Sequence, residues 1–178
     1  MSRFTRREFL KTGLAAGTVV AAGSLPLIAE RQTATDLLTL GRSGVKVTRL
    51  AFGTGSFSGE VQRALGQDGF TRLVHYAYDR GIRFFETAEA YRDMHRMLGV
   101  ALRGIPRESY QLMSKVTTRE GEDPQQKFDE LRKLANTDYF DIMLLHWQHT
   151  GTWPSDTLRW QDAILEAQSK NALTATAL

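Results

Sequence analysis

Four side chains able to hold and hand over a proton punctuate the middle of this sequence. Glu86 and Tyr91 lie in Arg83-Phe84-Phe85-Glu86-Thr87-Ala88-Glu89-Ala90-Tyr91, Lys115 follows Ser114, and His146 stands between Leu145 and Trp147. A carboxylate, a phenol, an amine and an imidazole can together shuttle a proton to or from a carbonyl oxygen. They fall at the ends of successive apolar runs, spaced by about one strand and one helix. Every strand of a parallel barrel ends at the same face, so this spacing predicts one shared rim. Each residue also has a plainer reading. Lys115 could be a strand-end lysine in solvent, His146 a satisfied core histidine, Tyr91 a packing residue and Glu86 a helix cap. Only the set of four, in order and at matched intervals, points to carbonyl chemistry.

The elements that must position these groups follow from hydrophobic period. Residues 38–40 and 45–47 flank Gly41-Arg42-Ser43-Gly44 and predict a hairpin. Residues 50–52 read as a buried strand ended by Gly53-Thr54-Gly55. Phe70, Leu73, Val74 and Ala77 then recur at helical spacing up to Arg80-Gly81. Residues 82–85 form the next strand, and Met94, Met97, Leu98, Ala101 and Leu102 the next helix, which ends near Gly104 and Pro106. A third strand covers 110–114. Asp123-Pro124 is a helix start, with a cap before a first-turn proline, and Phe128, Leu131 and Leu134 form its apolar stripe. Residues 139–145 are apolar almost throughout, as in a strand covered on both faces. Ser155-Asp156 opens a fourth helix carrying Leu158, Ile164 and Leu165. A hairpin followed by four strand–helix units predicts a parallel α/β sheet. Residues 172–178 are Ala, Thr and Leu without period and are expected to form an unpatterned tail.

Composition narrows the classes further. The 178 residues are 42% hydrophobic and 24% charged, ordinary for a soluble globular protein, and one domain is the natural expectation. With no cysteine, disulfides, thiolate metal sites and cysteine nucleophiles are excluded. The net charge of +3 resides mostly in the first 30 residues, where Arg3, Arg6, Arg7 and Lys11 outweigh Glu8 and Glu30. The rest is nearly neutral and shows no basic footprint for nucleic acid. No metal site is expected.

Thr5-Arg6-Arg7-Glu8-Phe9-Leu10-Lys11 closely resembles the twin-arginine export motif. A weakly apolar run of Ala, Gly and Val follows over residues 13–29, modest for a spanning helix. Residues 1–35 are therefore expected to be a signal segment recognised by the twin-arginine export machinery, with a periplasmic or otherwise exported destination. The protein is tethered to the membrane if the signal is not cleaved. This route carries folded proteins, which suits an enzyme loaded with cofactor before export.

From residue 38 to 170 the chain resembles the aldo/keto reductases. The resemblance rests on Leu40-Gly41-Arg42-Ser43-Gly44-Val45-Lys46-Val47 through Gly53-Thr54-Gly55, on Phe85-Glu86-Thr87-Ala88-Glu89-Ala90-Tyr91, and on Ser114-Lys115 and Leu145-His146. It implies a parallel (β/α) barrel of the TIM type, NADP(H) as cofactor and a small-molecule carbonyl substrate. It also implies a catalytic tetrad of Glu86, Tyr91, Lys115 and His146. Tyr91 would be the general acid, Lys115 would lower the phenol's pKa, and His146 would orient the carbonyl. Glu86 stands where the family has aspartate and would position the lysine across one extra methylene. Gly53 and Thr54 would lie beside the nicotinamide and its ribose, and Trp147 at the wall of the substrate pocket. His75 and His95, within helix stripes, are expected to be structural; His149 is expected in a substrate loop or at the surface.

A full barrel typically takes about 250 residues. Residues 36–171 are expected to supply its first half, about four strand–helix units, while the family's main grip on the cofactor lies in the second. The expected product is a truncated oxidoreductase. The alternative is an exported, non-enzymatic half barrel that pairs through its open edges with a second half or another copy.

Overall fold

The computed structural model describes residues 31–170 and the backbone strand at 173–177. Most of the expected signal segment, including the Arg6-Arg7 motif, lies outside the described residues. Among the described residues no helix is long and apolar enough to cross a membrane.

The chain opens with β1 (Leu37–Thr39) and β2 (Lys46–Thr48), an antiparallel hairpin in which Leu38 faces Val47. β3 (Phe52–Gly53) follows, then the short α1 (Glu60–Arg63) and the long α2 (Gly66–Asp79). β4 (Phe84–Glu86) leads into a 3-10 turn, Glu89–Tyr91, and α3 (Met94–Ala101). β5 (Gln111–Val116), α4 (Pro124–Leu134) and β6 (Phe140–Leu145) come next, then α5 (Trp153–Asp156), α6 (Leu158–Ser169) and β7 (Leu173–Ala177). Strands β3 to β7 form one parallel sheet in sequence order. This is the α/β architecture expected of a TIM-type barrel segment.

β7 departs from the expected tail. Alternating Thr and Ala carry little hydrophobic signal, yet the backbone of Leu173–Ala177 continues the ladder along β6, with Leu144 beside Ala177. A parallel ladder is made by main-chain groups, so the pairing needs no apolar pattern. Helix faces also differ in detail. Leu73, Leu134, Leu158 and Leu165 are exposed, whereas Trp160, Ala163, Ile164 and Ala167 are the buried face of α6. Asp123 caps α4 as expected, its Oδ1 accepting the Gln126 amide at 3.0 Å.

Strand alternation sorts the side chains into two layers. Phe85, Leu112, Val116 and Met143 point outward into a core shared with α2, α3, α4 and α6. Phe84, Met113, Ile142 and Leu144 lie on the other face, where Val45 and Val47 of the hairpin pack against them. The hairpin therefore covers the inner face of the sheet. At the amino-terminal strand ends, Asp141 accepts the Leu112 amide at 2.8 Å and pairs with Arg107 at 2.6 Å. The Arg107 guanidinium also lies 3.8 Å from the centre of the Tyr139 ring. That clamp joins β5 to β6 at the end opposite the candidate site.

His95, on α3, is buried with Nε2 2.7 Å from the Ser114 hydroxyl and its ring edge-on to Phe140. Burial, opposed by Glu89 and aided by Lys115, drives its pKa down to about 4 from the usual 6.5. The folded chain thus binds fewer protons than the unfolded chain between these values, so stability falls as pH drops from about 6.5 towards 4. The expected slope from this residue is up to about 1.4 kcal/mol per pH unit. Urea unfolding between pH 7 and pH 5 should show a flatter acid limb for His95→Gln than for the unmutated chain; equal slopes would exclude His95 as the source.

Candidate active site

Parity places the reacting groups on one side of the sheet. Gly53 on β3 is level with Glu86 on β4, and Glu86 with Met113 on β5. Lys115 is two residues beyond Met113, on the same face, and level with Leu144 on β6. His146, two residues past Leu144, shares that parity, and its amide extends the ladder to the Val116 carbonyl at 2.7 Å. All these positions sit at the carboxyl ends of parallel strands.

Lys115 and Glu86 form the centre of the arrangement. Lys115 Nζ donates to Glu86 Oε1 at 2.5 Å and to the Thr87 carbonyl at 3.2 Å. Their side chains are only 14% and 18% exposed. Burial pushes the Lys115 amine below its usual range, and the Glu86 carboxylate partly restores it. The extra methylene of glutamate therefore leaves a direct ion pair intact.

Tyr91 reaches the same place from the 3-10 turn after β4. Its ring lies 5.2 Å (centroid) from Lys115 Nζ and stands edge-on to His146, with centroids 5.6 Å apart. Burial, and then the Glu86 charge, raise the phenol above its usual pKa. The net shift is upward, against the lowering expected from Lys115. Both hydrogen bonds of the ammonium go to Glu86 and Thr87, and its charge is answered by the carboxylate. The phenol stays protonated. The His146 imidazole is lowered, chiefly by burial and then by Lys115, and its Nδ1 is buried without a hydrogen-bond partner. A neutral ring at pH 7 follows.

The strand-end residues add polar groups with nothing to bind inside the protein. Thr54 donates its amide to the Glu86 carbonyl at 3.2 Å, but its buried hydroxyl has no partner. The buried Thr87 hydroxyl is in the same condition. Gly53 offers its carbonyl to Gln62 at 3.4 Å. Trp147 is 74% exposed, with a left-handed backbone at φ 61°, and its ring lies 4.6 Å from that of His149. It stands at the mouth rather than in an enclosed wall. His75 bonds the Ala101 carbonyl at 2.8 Å, a structural contact. A cavity of about 730 Å³ lined by Asp129, Arg132 and Asp138 includes none of the four reacting groups. Among the described residues no cluster of three or more metal-binding side chains occurs.

Sequence reasoning missed Gly55, Thr87 and Glu89. A Cβ built on Gly55 would lie 2.6 Å from Tyr91 Cζ and 2.8 Å from its hydroxyl oxygen, so only glycine lets the ring settle there. A glycine two residues after another, in Gly53-Thr54-Gly55, gives no such hint.

Comparison with known proteins identifies the family. Residues 49–170 match the Aldo/keto reductase family. The chain belongs to that family. Over 82 residues it is 37% identical to aldo-keto reductase 1 of Glycine max, a match covering 43% of this chain and 22% of the plant protein. An aldo-keto reductase from Pseudomonas aeruginosa superposes with a TM-score of 0.68 at 25% identity, over 83% of this chain and 61% of that one. The Klebsiella pneumoniae aldo-keto reductase solved with NADPH shares the fold at a TM-score of 0.58 and 22% identity, over 75% of this chain and 46% of its own. The chain thus spans between about half and three fifths of these solved relatives.

Gly55→Ala is expected to destabilise the fold by about 1–3 kcal/mol through overpacking against Tyr91. In a Tyr91→Ala background that cost should vanish, because the obstructing ring is gone. A double-mutant cycle by urea unfolding checks the coupling, and additive effects would contradict the contact.

Proposed function

We propose that this chain carries the proton-handling side of an NADP(H)-dependent oxidoreductase that reduces a small-molecule carbonyl. The carrying observation is the Lys115–Glu86 pair at 2.5 Å beside the Tyr91 ring, with His146 edge-on to that ring. Tyr91 is the general acid: its hydroxyl gives a proton to the carbonyl oxygen as the carbonyl carbon is reduced. A phenol raised by burial and by Glu86 holds that proton at neutral pH, as a donor must. When the proton leaves, negative charge appears on the Tyr91 oxygen, and the nearby Lys115 ammonium stabilises it. Glu86 keeps the ammonium in place and charged against the cost of its burial. His146, neutral and fixed by its ladder bond, orients the carbonyl.

A nicotinamide held at this rim would supply the hydride. Gly53 and Thr54 are the residues of this chain that would hold its nicotinamide end, and the unpartnered Thr54 hydroxyl suits a polar ligand there. Trp147, exposed near His146, is the aromatic residue of this chain that a bound substrate would meet on entry. NADPH consumption by the full chain with a panel of small aldehydes and ketones tests the assignment. Tyr91→Phe should lower kcat by about 10²–10⁴-fold while leaving NADPH fluorescence titration unchanged; a fully active Tyr91→Phe variant would refute the role.

We further infer export through the twin-arginine route to the periplasm, with membrane tethering where the signal is retained. The support is Thr5-Arg6-Arg7-Glu8-Phe9-Leu10-Lys11 followed by a weakly apolar run. Replacing Arg6 and Arg7 together by Lys should leave the protein in the cytoplasm on cell fractionation, and undiminished export would overturn the assignment.

A further inference from the structure

Glu89 is a charged residue inside the turn that bears Tyr91, and the roles proposed above do not use it. Its side chain is 13% exposed. Oε2 accepts the Thr117 backbone amide at 3.0 Å, while Oε1 accepts from Arg119 at 2.6 Å and lies 3.4 Å from Lys127 Nζ. These partners belong to two further pieces of the rim: Thr117 and Arg119 to the loop leaving β5, and Lys127 to α4. Thr117 is two residues past Lys115, and the residue between them, Val116, accepts the His146 amide.

One carboxylate therefore joins the turn carrying Tyr91 to the strand end carrying Lys115, and through Val116 to His146. No other described side-chain hydrogen bond or ion pair from Glu89–Tyr91 reaches the β5 exit. The remaining anchors of the turn look elsewhere: Arg63 reaches the Tyr91 carbonyl at 3.4 Å, and the Tyr91 amide closes its own turn onto Ala88. With both oxygens engaged and little exposure, Glu89 is not placed to exchange protons with a substrate. A largely shielded carboxylate bonded to a main-chain amide and two cations is a stiff joint, because losing it leaves the amide unpaired as well as the charges.

We propose that Glu89 is a positioning residue that sets the placement of Tyr91 against Lys115 and His146. The proposal rests on the reading of those three residues as the proton-handling group. Its test needs neither cofactor nor turnover, so an inactive chain would not be mistaken for a failed brace. The Tyr91 ring, edge-on to His146, shifts the imidazole proton resonances of His146 by its ring current. The four histidines of the full chain can be assigned in proton NMR spectra by replacing each in turn.

Tyr91→Leu defines the His146 positions without the ring. Glu89→Ala should move the His146 signals most of the way to those positions while His75 stays where it is. Glu89→Gln keeps an acceptor for Thr117 and should remain closer to the unmutated spectrum. His146 signals unmoved by Glu89→Ala, or all histidines moving together, would overturn the proposal. Should Glu89→Ala not fold, Arg119→Met removes one cation from the half-exposed side of the brace. It should shift His146 in the same direction by a smaller amount, and no shift would equally overturn the assignment.

Discussion

A largely shielded ammonium needs a counter-charge, and that requirement organises the rim of this sheet. Lys115 sits on the inner face of β5 with little water around it, and Glu86 on the adjoining strand meets it directly. Removing one partner from such a pair typically costs about 3–5 kcal/mol, because the other is left uncompensated. The pair thus ties β4 to β5 at their carboxyl ends, where main-chain ladders run out. It also sets the electrostatics for everything beside it. Because the ammonium is answered by Glu86, the Tyr91 phenol feels burial and the carboxylate, and it stays protonated.

The rest of the fold holds that pair at the end of a stiff sheet. Outward side chains lock the strands to four helices, and inward ones rest on the hairpin valines. At the far end the Arg107–Asp141 clamp joins β5 and β6, the strands that deliver Lys115 and His146. With one end clamped and the ladder intact, the positions of Glu86, Lys115 and His146 follow from strand register. Tyr91 is the exception, since it rides on a turn. Its placement depends on side chains: the gap left by Gly55 and the brace made by Glu89.

Much of this was legible in the chain. Apolar runs and their spacing placed the central strands, and the ends of those runs marked Glu86, Lys115 and His146. Asp123-Pro124 announced its helix because capping is local chemistry between neighbours in sequence. What escaped was of two kinds. Leu73, Leu134, Leu158 and Leu165 look like core and are exposed, because helical period fixes a face only to within the width of the stripe. β7 carries no apolar signature, because main-chain pairing with β6 does not require one.

The sequence alone determined the kinds of chemical groups present, their order, and the alternation that sends Glu86, Lys115 and His146 to one face. Those are local properties of backbone geometry and side-chain type. Only the tertiary structure decided that Glu86 reaches Lys115 across its extra methylene, that the Tyr91 phenol is raised rather than lowered, and that Glu89 reaches Thr117, Arg119 and Lys127. Each depends on distance and burial between residues far apart in the chain, and the strength of a charge interaction is set by those two quantities.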